Sequence, residues 1–176
     1  MFTPKTNYAK IAFDSVLFFV STGEVRKTAV DKVSADLKLK VACVVSIFDL
    51  KEKLLGRYGH VKPKNEILYD EIIENAVGAA NRSDVKLLKG EKFNQIKVYV
   101  DVLSALHKVE NIDELKPEKH GLYLMDDKGN SGFIMHGTKD VKTVEKQIEV
   151  IKKENKITGK DQLKLEMWYF KSTRYD

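Results

Sequence analysis

Gln95-Ile96-Lys97-Val98-Tyr99-Val100-Asp101-Val102-Leu103-Ser104 carries the clearest period in the chain. Ile96, Val98, Val100 and Val102 fall on one side of an extended segment; Lys97, Tyr99 and Asp101 fall on the other. Alternation of β-branched with polar residues predicts a strand. Lys38 to Phe48 repeats the pattern, with Leu39, Val41, Cys43, Val45 and Ile47 set against Lys40, Ala42, Val44 and Ser46. It predicts a strand buried on one face and half-buried on the other. Leu163, Leu165, Met167 and Tyr169 alternate once more and predict a last strand over Leu163–Phe170. Gly121 to Met125 and Gly132 to His136 flank Asp126-Asp127-Lys128-Gly129-Asn130, a hairpin connection.

Between these strands the period lengthens to that of a helix. Tyr8, Ile11, Ala12, Ser15, Phe19 and Val20 predict a helix over Asn7–Thr22, with Thr6 or Asn7 as cap and Gly23 as stop. Leu68, Ile72, Ala76, Val77 and Ala80 mark a second over Asn65–Asn81, and Val141, Val144, Ile148 and Ile151 a third over Val141–Lys153. Asn81 to Glu91 is polar and reads as loop, and Asn111 to Leu115 as one helical turn before Pro117. Helices and strands that alternate irregularly around a hairpin favour α+β over a doubly wound parallel sheet. The expectation is one domain over residues 1–176, with or without two lobes. Its mostly antiparallel sheet takes in Leu39–Ile47, Ile96–Leu103 and Leu163–Phe170, packed by about three main helices.

Composition narrows the function. At 176 residues, 43% hydrophobic, the chain can bury a real core, which excludes a disordered tail. Cys43 is the one cysteine, so no disulfide framework exists. The most apolar stretch, Ile11 to Val20, is about half of the roughly 20 residues a spanning helix needs, and Asp14 interrupts it. The N-terminus lacks the basic n-region and small-residue cleavage site of a secretory signal, so a cytoplasmic protein is expected. A net charge of +5 invites a nucleic-acid reading. However, only Arg26, Arg57, Arg82 and Arg174 are arginine, and the lysines are interspersed with acids, as in Lys51-Glu52-Lys53. Interspersed signs cancel within a Debye length of about 8 Å, so a solvated surface is expected rather than a nucleic-acid footprint.

No Walker A loop, GxGxxG, GxSxG or HExxH occurs, and neither a cofactor nor a metal site is implied. His60, His107, His120 and His136 show no i, i+4 pair of the zinc-binding type. Cys43, set among valines, reads as a buried hydrophobe rather than a nucleophile. One segment is unusual. Gly56 and Gly59 bracket Arg57-Tyr58, with His60 and Lys62 following. Two glycines three apart suit a loop gripping an anion or a peptide, or a plain turn that needs both.

The order of segments resembles the AMMECR domain family over nearly the whole chain. Tyr8-Ala9-Lys10-Ile11-Ala12 through Thr22-Gly23-Glu24 is similar to the family's opening helix and its terminal turn. Ala42-Cys43-Val44-Val45-Ser46-Ile47 is similar to its first strand, and Ala76 to Ala80 to its alanine-rich helix. Val100-Asp101-Val102-Leu103-Ser104, then Ile112, Leu115 and Lys119-His120-Gly121-Leu122, resemble the run from the central strand into a His-Gly turn. The signature Leu-Arg-Gly-Cys-Ile-Gly is replaced by Leu54-Leu55-Gly56-Arg57-Tyr58-Gly59, keeping the first leucine and both glycines. The Asp-Pro-Arg-Phe after the alanine helix is replaced by Ser83-Asp84-Val85-Lys86, and the proline of a later Leu-Pro pair by His136. The resemblance implies the fold and, by association, a Memo-type protein and a radical SAM protein as partners; it names no reaction.

The expected function is therefore a binding or accessory domain. Its cleft is built on a loop of Leu54, Gly56, Arg57, Tyr58, Gly59 and His60, with His120 and His136 as neighbours. An enzyme using that cleft, with a histidine and a carboxylate as acid–base pair, is the alternative; an RNA-binding module is a further one. Loss of the motif cysteine excludes thiol chemistry in the loop, while Arg57 supplies a fork-shaped donor for carboxylate or phosphate.

Overall fold

The computed structural model describes residues 2–26, 33–82, 85, 95–157 and 165–176. Among them are helices α1 (Asn7–Thr22), α2 (Leu68–Ala80) and α3 (Val144–Asn155), with strands β1 (Cys43–Asp49), β2 (Leu54–Gly59), β3 (Ile96–Leu103), β4 (His107–Lys108), β5 (Gly121–Met125), β6 (Ser131–Ile134), β7 (Glu166–Phe170) and β8 (Ser172–Tyr175). The strands form two four-stranded sheets, ordered β2-β1-β3-β8 and β4-β7-β5-β6. The architecture is α+β, as expected. The chain divides into two compact units, one of residues 1–103 with Thr173–Asp176, the other of Ser104–Ser172.

In the first unit α1 begins where Thr6 accepts a hydrogen bond from the Ala9 amide and ends at Gly23, whose φ of 77° lies in the left-handed region. Cys43, Val45 and Ile47 of β1 and Val98 and Val100 of β3 turn to the helices, packing on Ala12 and Val16 of α1 and on Ile72, Ala76 and Ala79 of α2. β1 runs antiparallel to both β2 and β3, with Ser46 opposite Arg57 and Tyr99, and Val44 opposite Gly59 and Asp101. Four parts of the expectation need correction. β1 starts at Cys43 rather than Leu39, because Leu39 is 56% exposed and its carbonyl accepts from the Leu68 amide at the start of α2. β1 is buried on both faces from Cys43 to Ile47, the helices covering one face and the Arg57 side chain lying on Ser46 of the other. Leu54–Gly59 is a strand and not a loop. The last strand lies in the other sheet: Glu166–Phe170 pairs with β5, so the expected single sheet is two.

In the second unit β5 pairs with β6 and β7, and β4 with β7, all antiparallel. The expected hairpin is present. Asp126 Oδ1 accepts from the Lys128 and Asn130 amides and fixes its turn. α3 is capped by Thr143, which accepts from the Lys146 amide, and its Val144, Ile148 and Ile151 join Leu122, Leu124 and Ile134 in a separate buried cluster. The turn expected at Asn111–Leu115 is a 3-10 turn at Ile112–Glu114. Leu163 and, within the polar segment, 83–84 and 86–91 lie outside the described residues.

Candidate functional site

The glycines of Leu54–Gly59 are needed for close packing. A Cβ on Gly56 would lie 2.3 Å from the Ala79 carbonyl oxygen, so this strand touches the backbone of α2. A Cβ on Gly59 would lie 2.4 Å from the Cys43 carbonyl oxygen. Neighbouring strand residues face opposite ways, which separates Arg57 from Tyr58. Tyr58 turns to α2 and covers Gly78, with the Arg82 guanidinium 5.6 Å from its ring centroid. His60 meets the Tyr58 ring edge-on at 5.2 Å. The fold thus joins Tyr58 to His60 and places Arg57 on the other face of the strand.

That face carries a polar cluster which the sequence reading missed. The Arg57 Nε donates to Ser46 Oγ (2.9 Å), and Ser46 is wholly buried. Arg174 of β8 donates from Nε and from a terminal nitrogen to the two carboxylate oxygens of Asp101, each at 2.9 Å. Asp101 is 1% exposed, and the Arg174 guanidinium also lies 5.2 Å from the Tyr99 ring centroid. A bidentate pair of this kind is charge-assisted and directional. Burial pushes the Arg57 pKa down, the Asp101 carboxylate pulls it back up, and Arg174 pushes it down again. The hydrogen bond to Asp101 raises that of Arg174. Asp101 is thus bridged by Arg174 and acts on Arg57 through its charge alone.

On the helix side, Glu71 is 1% exposed and accepts from the Lys64 and Asn65 amides (3.0 and 2.9 Å). Asn75, also buried, donates to the Cys43 carbonyl (3.0 Å) and to Cys43 Sγ (3.3 Å). Burial pushes the Cys43 thiol up to about 12. His60 is half-buried, and its Nδ1 has no partner among the described residues. Desolvation and then Lys64 hold its pKa below 6.5, against an opposite pull from Glu71 and Glu74.

His120 and His136 belong to the second unit. His136 Nε2 lies 2.8 Å from Ser172 Oγ. The Lys116 amide donates to His120 Nδ1 (3.1 Å), and Gln147 Nε2 donates to the His120 carbonyl (3.0 Å). Among the described residues no group of three or more His, Cys, Asp or Glu is placed to hold a metal ion.

Residues 9–175 match the AMMECR1 family. The chain belongs to it. A Clostridium acetobutylicum protein, CA_C1420, is 28% identical over 148 residues, which is 83% of this chain but 31% of that protein. A Thermotoga maritima protein is 28% identical over 147 residues, or 82% of this chain and 83% of its own length. The chain thus spans about a third of the Clostridium relative and most of the Thermotoga one. The crystal structure of the uncharacterised protein PH0010 from Pyrococcus horikoshii aligns with a TM-score of 0.81 at 16% identity, covering 95% of this chain and 88% of that one, and it shares the fold.

Within the AMMECR1 family frame, the signature segment resolves into two kinds of position. Gly56 and Gly59 carry backbone contacts and are retained. Leu55, Arg57 and Tyr58 are the substituted positions, with Arg57 and Tyr58 on opposite faces of the strand. Ser46, Asp101 and Arg174 gave little signal in the sequence. A polar residue at every second position of a strand is normal, and only the register shows that these three meet.

Proposed function

We propose that this AMMECR1-family chain is a non-covalent binding or accessory domain, recognising a carboxylate or phosphate group at Arg57. One observation carries the reading. The guanidinium is held through Nε by a buried serine, and Asp101, the adjacent carboxylate, is already bridged by Arg174. Among the described residues, the Arg57 terminal nitrogens have no hydrogen-bond partner, which leaves a fork matched to an anion. A Memo-type or radical SAM partner, as the family resemblance implies, would supply that anion as an acidic side chain or segment. No described helix is long and apolar enough to cross a membrane, and a reduced lone thiol suits the cytoplasm.

The enzyme reading has one observation in its favour, the partnerless Nδ1 of His60 in the field of Glu71 and Glu74. Titration with phosphate, sulfate and an acidic peptide, followed by amide NMR shifts, tests the binding reading. Shifts at residues 54–60 and at Asp101, lost in Arg57→Ala, are expected. Unmoved shifts in the wild-type protein refute it.

A further inference from the structure

The second unit holds an open cavity of 520 Å³, within the roughly 300–1,000 Å³ usual for small-molecule sites. Three of its lining residues are rings on neighbouring strands: His107 of β4, Tyr169 of β7 and His120, just before β5. His107 and Tyr169 are direct cross-strand partners, and their rings stack at 5.2 Å and 24°. His120 tilts onto the same tyrosine at 4.9 Å. From these contacts we propose that the cavity binds a small amino-bearing heteroaromatic ring of the adenine or cytosine kind.

Three features select that class. A cluster of three packed rings in the cavity wall suits a flat ring that extends the stack, which any base satisfies. His120 supplies a directional donor. Its Nδ1 accepts from the Lys116 amide, so the neutral ring carries its proton on Nε2, which has no partner among the described residues. Burial, with Lys171 and other lysines nearby, lowers the His120 pKa and keeps this tautomer populated at neutral pH. A ring nitrogen or carbonyl of the ligand accepts that proton. The exposed lining carboxylates Glu110 and Glu114 accept from an exocyclic amine, a group that a ring such as benzoate lacks. Lys108, the other charged lining residue, is exposed on the short edge strand.

The test titrates the full chain with adenine, cytosine and, as an anionic ring of similar size, benzoate, following the side-chain NMR signals of His107, His120 and Tyr169. Adenine or cytosine should move all three, benzoate much less. His120→Phe keeps a ring and removes the donor, and should weaken base binding about tenfold, the effect of one hydrogen bond. His107→Ala, at an exposed edge position, should weaken it by a similar factor. The proposal is overturned if neither base moves these signals, if benzoate binds as well as the bases, or if both variants bind as tightly as the wild type. Base-induced shifts confined to residues 54–60 also overturn it.

Discussion

Cys43 offers a direct measure of how tightly the first unit is closed. Its thiol is 0% exposed, lies between strand β1 and helices α1 and α2, and is contacted by the Asn75 amide. Burial moves its pKa from 9.0 to about 12, a shift worth about 4 kcal/mol in favour of the neutral thiol. The attacking species is the thiolate, and its population in the folded state is lowered about a thousandfold by that shift. Labelling at neutral pH must therefore pass through an opening of the unit. The rate should equal that of a free thiol scaled by the opening equilibrium, and should rise steeply with urea. The sign for pH follows from the raised folded value. The stabilisation is fully present below pH 9 and is lost as pH rises from 9 towards 12. The assay is colorimetric thiol labelling against urea at fixed pH, with Cys43→Ser as the blank. Rapid stoichiometric labelling of the folded protein at neutral pH, independent of urea, would refute the reasoning.

Other substitutions probe the contacts around the candidate site. Gly56→Val drives a side chain into the Ala79 carbonyl and should cost about 3 kcal/mol or more, seen as a lower urea midpoint; a midpoint like the wild type's would show that β2 and α2 can separate freely. Arg174→Ala leaves the buried Asp101 carboxylate short of its bidentate partner. Because the Arg174 side chain is 48% exposed, a loss of about 2–3 kcal/mol is expected, and Asp101→Asn in the same background should recover part of it. His60 has a depressed pKa, so its contribution to stability is present above pH 6.5 and is lost as pH falls through the folded value. Its ring NMR signal should titrate below 6.5, and His60→Asn should flatten the acid limb of stability; a titration at or above 6.5 contradicts this. Thr143→Ala removes the α3 cap and should lower stability by about 1 kcal/mol, read by thermal melting.

The sequence disclosed those elements whose signals are local. Thr6 and Gly23 bound α1 because capping chemistry acts within one turn, and the Asp126 turn declares the β5–β6 hairpin by the same logic. β2 escaped because Leu54-Leu55-Gly56-Arg57-Tyr58-Gly59 lacks alternation and two glycines normally punctuate. It is extended because β1 pairs with it along its length and α2 packs across Gly56. The alternation of the last strand was legible, but its sheet was not: pairing of β7 with β5 is a long-range contact that no local pattern encodes. The same holds for the Arg57, Ser46, Asp101 and Arg174 cluster, drawn from four strands whose neighbours only the register reveals.

The first sheet takes its outer strand β8 from beyond the whole of the second unit, next to β3. The second unit is contiguous in the chain; the first is not. During synthesis β3 emerges with its edge open, and Asp101 waits without Arg174 until residues 172–175 have left the ribosome. The Lys5 and Thr6 amides likewise wait for the Asp176 carbonyl that holds the start of α1. Both units wait for the end of the chain, since β7 completes the second sheet and β8 the first, and a carboxylate short of its bidentate partner and an open strand edge persist in the first unit while residues 104–172 are translated. The vulnerable interval of this protein is set by translation speed through residues 104–172, and slow codons there would lengthen exposure of the β3 edge to other chains.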